Sequence, residues 1–178
     1  ADFASPRPRE RELLDLNSLL RSTARLLAYD RRFRHVQLDL ELDKDLPAIV
    51  GVADQLTQVF MNLLINAMDA CTATTSRKAG IVVKSERNGE HVHVTVRDNG
   101  CGMSEETRSH VMEPFYTTKP IGEGTGLGLF VTHSIIQHHQ GSIKVISEPG
   151  DGTIFRVYLP VTRPVQGGKV ETGSAPGR

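Results

Sequence analysis

The chain has 178 residues, with 21 Lys and Arg balanced by 21 Asp and Glu, 38% hydrophobic residues, no Trp and two Cys. The length suits one domain of roughly 100–200 residues with a sizeable core, and the even charge gives no global case for nucleic acid or an anionic membrane. Cys71 and Cys101 lie in unrelated stretches and make neither a disulfide framework nor a zinc knuckle. Apolar runs stop short of the roughly 20 residues a membrane span needs, and no signal-peptide pattern opens the chain. These exclusions leave an α/β domain expected in the cytoplasm, without nucleic-acid or direct membrane contact. They leave 16 glycines, crowded into a few short stretches, to be explained.

Residues 1–12, ADFASPRPRERE, are rich in Pro and charge and read as a linker or a frayed end, and Ala1 in place of an initiator Met fits a piece of something longer. Leu13 to Ala28 has helical spacing, with Leu16, Leu19, Leu20, Ala24 and Leu27 on one face and Asn17-Ser18 offering a cap. His35 to Leu42 alternates as a strand, and Asp45-Leu46-Pro47 turns the chain into a short apolar piece ending at Val52. Asp54 to Ala73 has the clearest helical pattern, through Leu56, Val59, Phe60, Leu63, Leu64 and Ala67, with Ala53-Asp54 as its cap. Two strands, Ile81–Lys84 and Val92–Arg97, flank an Asn88-Gly89 hairpin signal. A helix from Leu127 to His139 is expected to end in a left-handed Gly141. Strands Ser142–Ser147 and Thr153–Leu159 close the pattern around Pro149-Gly150-Asp151-Gly152, and the residues after Val161 read as a disordered tail. Helices do not follow strands regularly enough for a parallel doubly wound fold, so a mixed sheet with helices is expected.

Four stretches carry chemistry. On the longest helix Asn62, Asn66 and Asp69 fall within roughly 60° of one another at the border of the apolar stripe. Amides and a carboxylate so placed suit a hard cation such as Mg²⁺ that shares its ligands with substrate phosphates; a solvated polar flank is the competing reading. Asp98-Asn99-Gly100-Cys101-Gly102-Met103 follows a strand, and a helix start at Ser104 follows it in place of a returning strand. A strand-end carboxylate beside two glycines suits a flat heterocycle with an exocyclic amine, and a plain Asn-Gly turn is the alternative. Gly122, Gly124, Gly126 and Gly128 lead into the last helix with neither P-loop nor dinucleotide spacing. Their amides at a helix N-terminus suit phosphate oxygens, and their number suits a mobile lid. Glu113-Pro-Phe-Tyr-Thr-Thr-Lys119 adds an aromatic anchor, two hydroxyls and a cation.

In this order the stretches resemble the ATP-binding catalytic domain of sensor histidine kinases, in the superfamily shared with gyrase, heat-shock chaperone ATPases and MutL. QVFMNLLINAMDA resembles the N box, DNGCGM the G1 box, EPFYTTK the F box and GEGTGLGL the G2 box, and Gly150-Asp151-Gly152-Thr153 resembles the late Gly-x-Gly-Thr box. The resemblance implies the Bergerat fold, a two-layer α/β (α+β) sandwich in which three helices cover one face of a mixed five-stranded sheet. It implies domain limits of 13–161, with 1–12 leading from a missing dimerisation and phosphoacceptor domain and 162–178 as tail. Its cofactors are ATP and Mg²⁺. It places Asn66 on the metal, Asn62 near the phosphates and Asp69 in the nucleotide site. Asp98 goes on the adenine amine, and Gly100, Gly102 and Met103 around the adenine. Lys119, Gly124, Thr125, Gly126, Leu127 and Gly128 go on the phosphates, and Thr153 behind the adenine. Asn62, Asn66 and Lys119 are thereby the expected catalytic set.

One position separates branches of that superfamily. ATP-hydrolysing members carry a water-activating Glu one helical turn before the metal-binding Asn, where this chain has Asn62. That favours phosphoryl transfer over hydrolysis. None of the seven histidines is followed by an acid and a nearby Pro, as a phosphoacceptor would be. The acceptor is therefore expected on a separate helical domain of a homodimeric parent protein, with a response regulator downstream. An ATP-hydrolysing relative, a serine-kinase relative or a non-catalytic nucleotide-binding module are the alternatives. His91 and His93 share a strand face and read as solvated, and His138-His139 reads as a partner of the helix dipole.

Overall fold

The computed structural model of the chain describes residues 10–74, 77–119 and 126–161. Strand β1 (Glu12–Leu14) pairs antiparallel with β3 (Ile49–Gly51), aligning Glu12 with Gly51. Between them lie helix α1 (Leu16–Ala28), a single 3₁₀ turn at Arg31–Phe33, and strand β2 (Gln37–Leu42). Helix α2 (Ala53–Thr72) follows, then β4 (Gly80–Asn88), β5 (His91–Asp98), α3 (Glu105–His110), α4 (Gly128–His138), β6 (Ser142–Glu148) and β7 (Gly152–Pro160). The main sheet runs β2-β4-β5-β7-β6; only β2 and β4 are parallel. It is the expected mixed five-stranded sheet, with α1, α2 and α4 over one face.

Alternation sets the two faces. Val92, Val94 and Val96 of β5 are buried beside Val83 of β4 and Phe155, Val157 and Leu159 of β7, under the helices. His91, His93, Thr95 and Arg97 point the other way, because neighbouring side chains on a strand face opposite sides. His93 packs edge-on against Tyr158, with ring centroids 4.3 Å apart. The central helix α2 buries Leu56, Val59, Phe60, Leu63, Leu64, Ala67, Met68 and Cys71 against this sheet and its neighbouring helices. Each large aliphatic side chain so buried contributes about 1.5–3 kcal/mol. Leu63→Ala is the change that would open the core most directly, at about 2–5 kcal/mol.

Several local expectations need correction. Leu13 and Leu14 belong to β1, and α1 is capped by Asp15, whose Oδ1 accepts from the Ser18 N–H at 3.1 Å. Asn17 is buried instead: its Nδ2 donates to the Asp43 carbonyl at 2.7 Å and its Oδ1 accepts from the Ser85 hydroxyl. The β4–β5 loop is Gly89-Glu90, one residue past the Asn88-Gly89 expected, with Gly89 at φ 60°. At the end of α4 the left-handed residue is Gln140 (φ 57°), not Gly141. The Gly141 N–H bonds the Ile136 carbonyl and the Gln140 N–H that of Gln137, a Schellman closure. Gly141 is required for close approach, since a Cβ there would lie 2.2 Å from the Tyr158 carbonyl oxygen.

The N-terminus of α2 is also closed differently from the expected Ala53-Asp54 cap. Val52 occupies the cap position without a side-chain bond, and its own N–H donates to His139 Nε2 at 3.0 Å. His139 is therefore no surface partner of a helix dipole. It is buried, its Nδ1–H donates to the Ile135 carbonyl at 2.8 Å, and burial lowers its pKa. Both ring nitrogens are used only in the neutral form. Among the described residues no helix is long and apolar enough to cross a membrane.

Candidate functional site

The site is built along one flank of α2. At about 1.5 Å per residue, Asn62 and Ala70 stand about 12 Å apart along the helix axis, with Asn66 and Asp69 between them. Asn62, Asn66 and Asp69 are all half-buried, as a border between core and solvent requires.

At the C-terminal end of this flank, Asp98 closes the central strand β5, where it is only 4% exposed. Its Oδ1 accepts from the Gly100 N–H at 2.8 Å, and the Thr153 backbone N–H also bonds the carboxylate. Burial nevertheless pushes the Asp98 carboxyl up to about 6, against the lowering effect of those two amides and of the Arg77 charge. The following loop lies directly on α2: the Cys101 N–H bonds the Ala70 carbonyl, and a Cβ on Gly100 would lie 2.5 Å from the Ala70 carbonyl carbon. Gly102 holds φ 68°, and a Cβ there would sit 1.9 Å from the Glu148 carbonyl oxygen. Both glycines are thus dictated by close backbone approach and not by a hairpin, and Ser104 then caps α3 through the Thr107 N–H.

A hydroxyl network ties this loop to the β6–β7 turn. Ser147 donates to the Gly152 carbonyl at 3.0 Å, which commits its only proton. It therefore accepts both from the Met103 N–H at 2.8 Å and from the Thr153 hydroxyl at 2.8 Å. The Gly150 N–H bonds the Cys101 carbonyl at 2.8 Å, and Arg108 Nη1 donates to the Ser147 carbonyl. Asn99 latches the strand end, accepting from the Gly80 N–H at 2.9 Å and donating to the Lys78 carbonyl at 2.8 Å. Asp98, Gly100, Gly102, Met103 and Thr153, all singled out from sequence, thus lie together. Ser147, Arg77 and Asn99 do so too, although their spacing gave no signal beyond the Asn of DNG.

Beside Ala70 on this flank, Lys119 Nζ is hydrogen-bonded to Asp69 Oδ2, and Asn62 stands at the flank's N-terminal end. Asn62 Nδ2 donates to the Gly128 carbonyl at 3.2 Å and reaches Thr132 Oγ1 at 3.4 Å, pinning the first turn of α4 to α2. Asn66, one turn on, has no hydrogen-bond partner among the described residues. Phe115 holds φ 65° with its ring exposed, and Gly126 (φ 69°) lies against its backbone so closely that a Cβ would come within 2.3 Å. The chain leaving Phe115 and the chain arriving at Gly126 therefore meet, with Leu127 and Gly128 leading into α4. Gly122, Gly124 and Thr125 lie outside the described residues. No three His, Cys, Asp and Glu side chains converge as a metal site among the described residues, His91 and His93 included.

A buried strand-end carboxylate, a loop seated on α2 and a polar flank leading to the start of α4 define a nucleotide-binding domain of the Bergerat type. The chain belongs to the family described as histidine kinase-, DNA gyrase B- and HSP90-like ATPases, whose model matches residues 51–163. It is 39% identical over 159 residues to sporulation kinase E of Bacillus subtilis, covering 89% of this chain and 21% of that one. Sensor histidine kinase ZraS of Escherichia coli is 37% identical over 150 residues, covering 84% of this chain and 31% of that one. The chain thus spans between a fifth and a third of these curated relatives. The catalytic domain of histidine kinase ThkA superposes with a TM-score of 0.73 at 29% identity, covering 85% of this chain and 95% of that domain.

Proposed function

We propose that this chain is the ATP-binding catalytic domain of a sensor histidine kinase, taking Mg²⁺-ATP and passing the γ-phosphoryl group to a histidine on a separate helical domain. Family membership supports the nucleotide. The observation that carries transfer over hydrolysis is Asn62, an amide committed to the Gly128 carbonyl where a water-activating group would have to stand. An amide has no proton affinity near neutral pH and cannot serve as general base. Catalysis by these residues is positioning and charge neutralisation, as phosphoryl transfer requires.

The residues divide along α2. Asp98 accepts the adenine amine while the loop through Gly100, Gly102 and Met103 shapes the pocket, with Thr153 behind it. Asn66, whose amide has no partner among the described residues, is the metal ligand; the chemistry of one amide oxygen plus phosphates and water suits Mg²⁺. Lys119 and the backbone of Gly124, Thr125, Gly126, Leu127 and Gly128 hold the phosphates, and Asp69 releases Lys119 to them. The metal supplies charge neutralisation at the transferred group when bound. The preceding phosphoacceptor domain, a homodimeric parent, a downstream response regulator and a cytoplasmic location belong to this proposal, as do domain limits of 13–161.

Mg²⁺-dependent ATP binding by the native chain, Asp98→Ala and Asn66→Ala tests the site, and unchanged affinity in both variants sinks the assignment. Adding the parent's phosphoacceptor domain tests the reaction. Acid-labile phosphate on that domain is the expected product, and steady ATP hydrolysis without transfer would establish the hydrolase alternative instead.

A further inference from the structure

One cation near the nucleotide site has no part in that assignment. Arg77 precedes β4, on the segment between α2 and the sheet, and its Nη2 donates to two backbone carbonyls from different loops. One is Gly100, at 3.0 Å, in the loop that follows Asp98. The other is Gly150, in the β6–β7 turn. Both loops border Asp98, and they are already joined by the Gly150 N–H bond to the Cys101 carbonyl and the Met103 N–H bond to the Ser147 hydroxyl, so Arg77 adds a charged side-chain tie beside these two. A carbonyl lost from such a clasp can bond water, so nothing in the core depends on it.

We propose that Arg77 is a positioning residue for the nucleotide site, clasping the Gly100 loop to the Gly150 turn so that the pocket in front of Asp98 is held in its binding form. The proposal rests on the reading of Asp98 as the adenine acceptor. A guanidinium is suited to the task because it offers several donors in a fixed plane and stays charged at every relevant pH. Its charge has a second effect, since it lies close enough to Asp98 to favour the carboxylate, the form that accepts a hydrogen bond from an amine. Burial and the Asp98 charge push the nearby Cys71 thiol up, and the Arg77 charge opposes that rise only slightly. Clasp and charge act in the same direction: one ties the two loops, the other adds a small opposition to the burial that pushes the Asp98 carboxyl up.

The test compares Arg77→Gln, which keeps a donor and loses the charge, with Arg77→Lys, which keeps the charge and loses the fork. Two quantities are read on the whole chain. The first is the Asp98 carboxyl titration, followed by carbon NMR without nucleotide; the second is the Kd for Mg²⁺-ATP at pH 7.5. Arg77→Gln is expected to move the Asp98 midpoint upward and weaken ATP on the order of 3- to 10-fold, the loss of one or two charge-assisted hydrogen bonds at a partly exposed site. Arg77→Lys is expected to keep the midpoint and recover part of the affinity. Native values of midpoint and Kd in Arg77→Gln overturn the proposal. So does equal loss of affinity in both variants with the midpoint unmoved and the melting temperature lowered, which identifies a general structural role. Asp98→Ala run in parallel separates the two claims: if it binds ATP normally the adenine assignment fails, while the nucleotide-free titration still reports on Arg77.

Discussion

Asp98 is expected to make nucleotide affinity and fold stability respond to pH in opposite directions. Its carboxyl sits at about 6 in the folded chain against 3.8 when solvated, because burial outweighs the bonds from Gly100 and Thr153. An acid with a raised folded pKa binds protons more tightly in the folded state, so its contribution favours folding below pH 3.8 and is lost as pH rises through about 6. At neutral pH the ionised group costs about 3 kcal/mol. Nucleotide binding runs the other way, because only the carboxylate accepts the adenine amine. At pH 5 roughly one folded molecule in ten carries that form, so the Kd rises about tenfold relative to pH 8.

Calorimetric titration with Mg²⁺-ATP from pH 5 to 8 checks the affinity, and Asp98→Asn gives the reference that removes protonation of the nucleotide's own phosphates. The variant is expected to bind about 10- to 100-fold more weakly at pH 8, since an amide cannot accept from Gly100, from Thr153 and from an amine at once. Denaturant unfolding checks the stability: between pH 4 and 6.5 the native chain should lose about 2 kcal/mol relative to Asp98→Asn. A native Kd with no pH dependence beyond that of the variant refutes the reasoning, because it would mean that protonating this carboxyl leaves recognition untouched.

His139→Phe should cost about 1–3 kcal/mol by leaving the Val52 N–H unpaired. Burial lowers the pKa of His139, so its stabilisation is complete above the unfolded value near 6.5 and lost as pH falls through the folded one; the Phe variant should lack that acid-side slope in unfolding titrations. Lys119→Met should change stability by less than about 1 kcal/mol, because its pair with Asp69 is one-third exposed, yet weaken Mg²⁺-ATP about tenfold or more. A melting curve beside a binding curve separates the two effects. Gly102→Ala should destabilise the chain by more than about 3 kcal/mol, whereas Gly150→Ala, also at positive φ but with open space around it, should cost only about 1–2 kcal/mol. Similar losses in both would show that backbone conformation, and not contact with Glu148, sets the requirement at Gly102.

The features legible in the sequence were those whose cause is local. The register of apolar residues on α2 predicts its buried face, because helical period and core face are the same fact. Asp98 with Gly100 and Gly102 was readable because a strand end, a carboxylate and two close backbone approaches fall within a few residues. What escaped is set by partners distant in the chain. Leu13 and Leu14 continue the apolar spacing of α1, and only pairing with β3 makes them strand. Asn17 looks like a cap until Asp43 and Ser85 claim its amide, and His139 looks like a surface residue until Val52 supplies a donor. Arg77 and Ser147 carry no motif, since each acts on backbone carbonyls that any sequence possesses.

The same distinction bears on how the site works. Along the site flank of α2, Asn62 is held by the first turn of α4, Asp69 by Lys119, and Ala70, through its carbonyl, by the loop after Asp98. Asn66, between them, has no hydrogen-bond partner among the described residues, as the metal ligand of the proposed function would need. On the proposed assignment, a nucleotide reaching from Asp98 toward α4 would draw Lys119 from Asp69 without disturbing the bonds of Asn62 or Ala70. The exchange is inexpensive because the Asp69–Lys119 pair is partly exposed, and such pairs contribute little. On the proposed assignment the rigid contacts fix the adenine end and α4, and the weak one would yield to phosphate. The nucleotide would then itself free the cation proposed to hold it, while the buried face of α2 stays packed in the core.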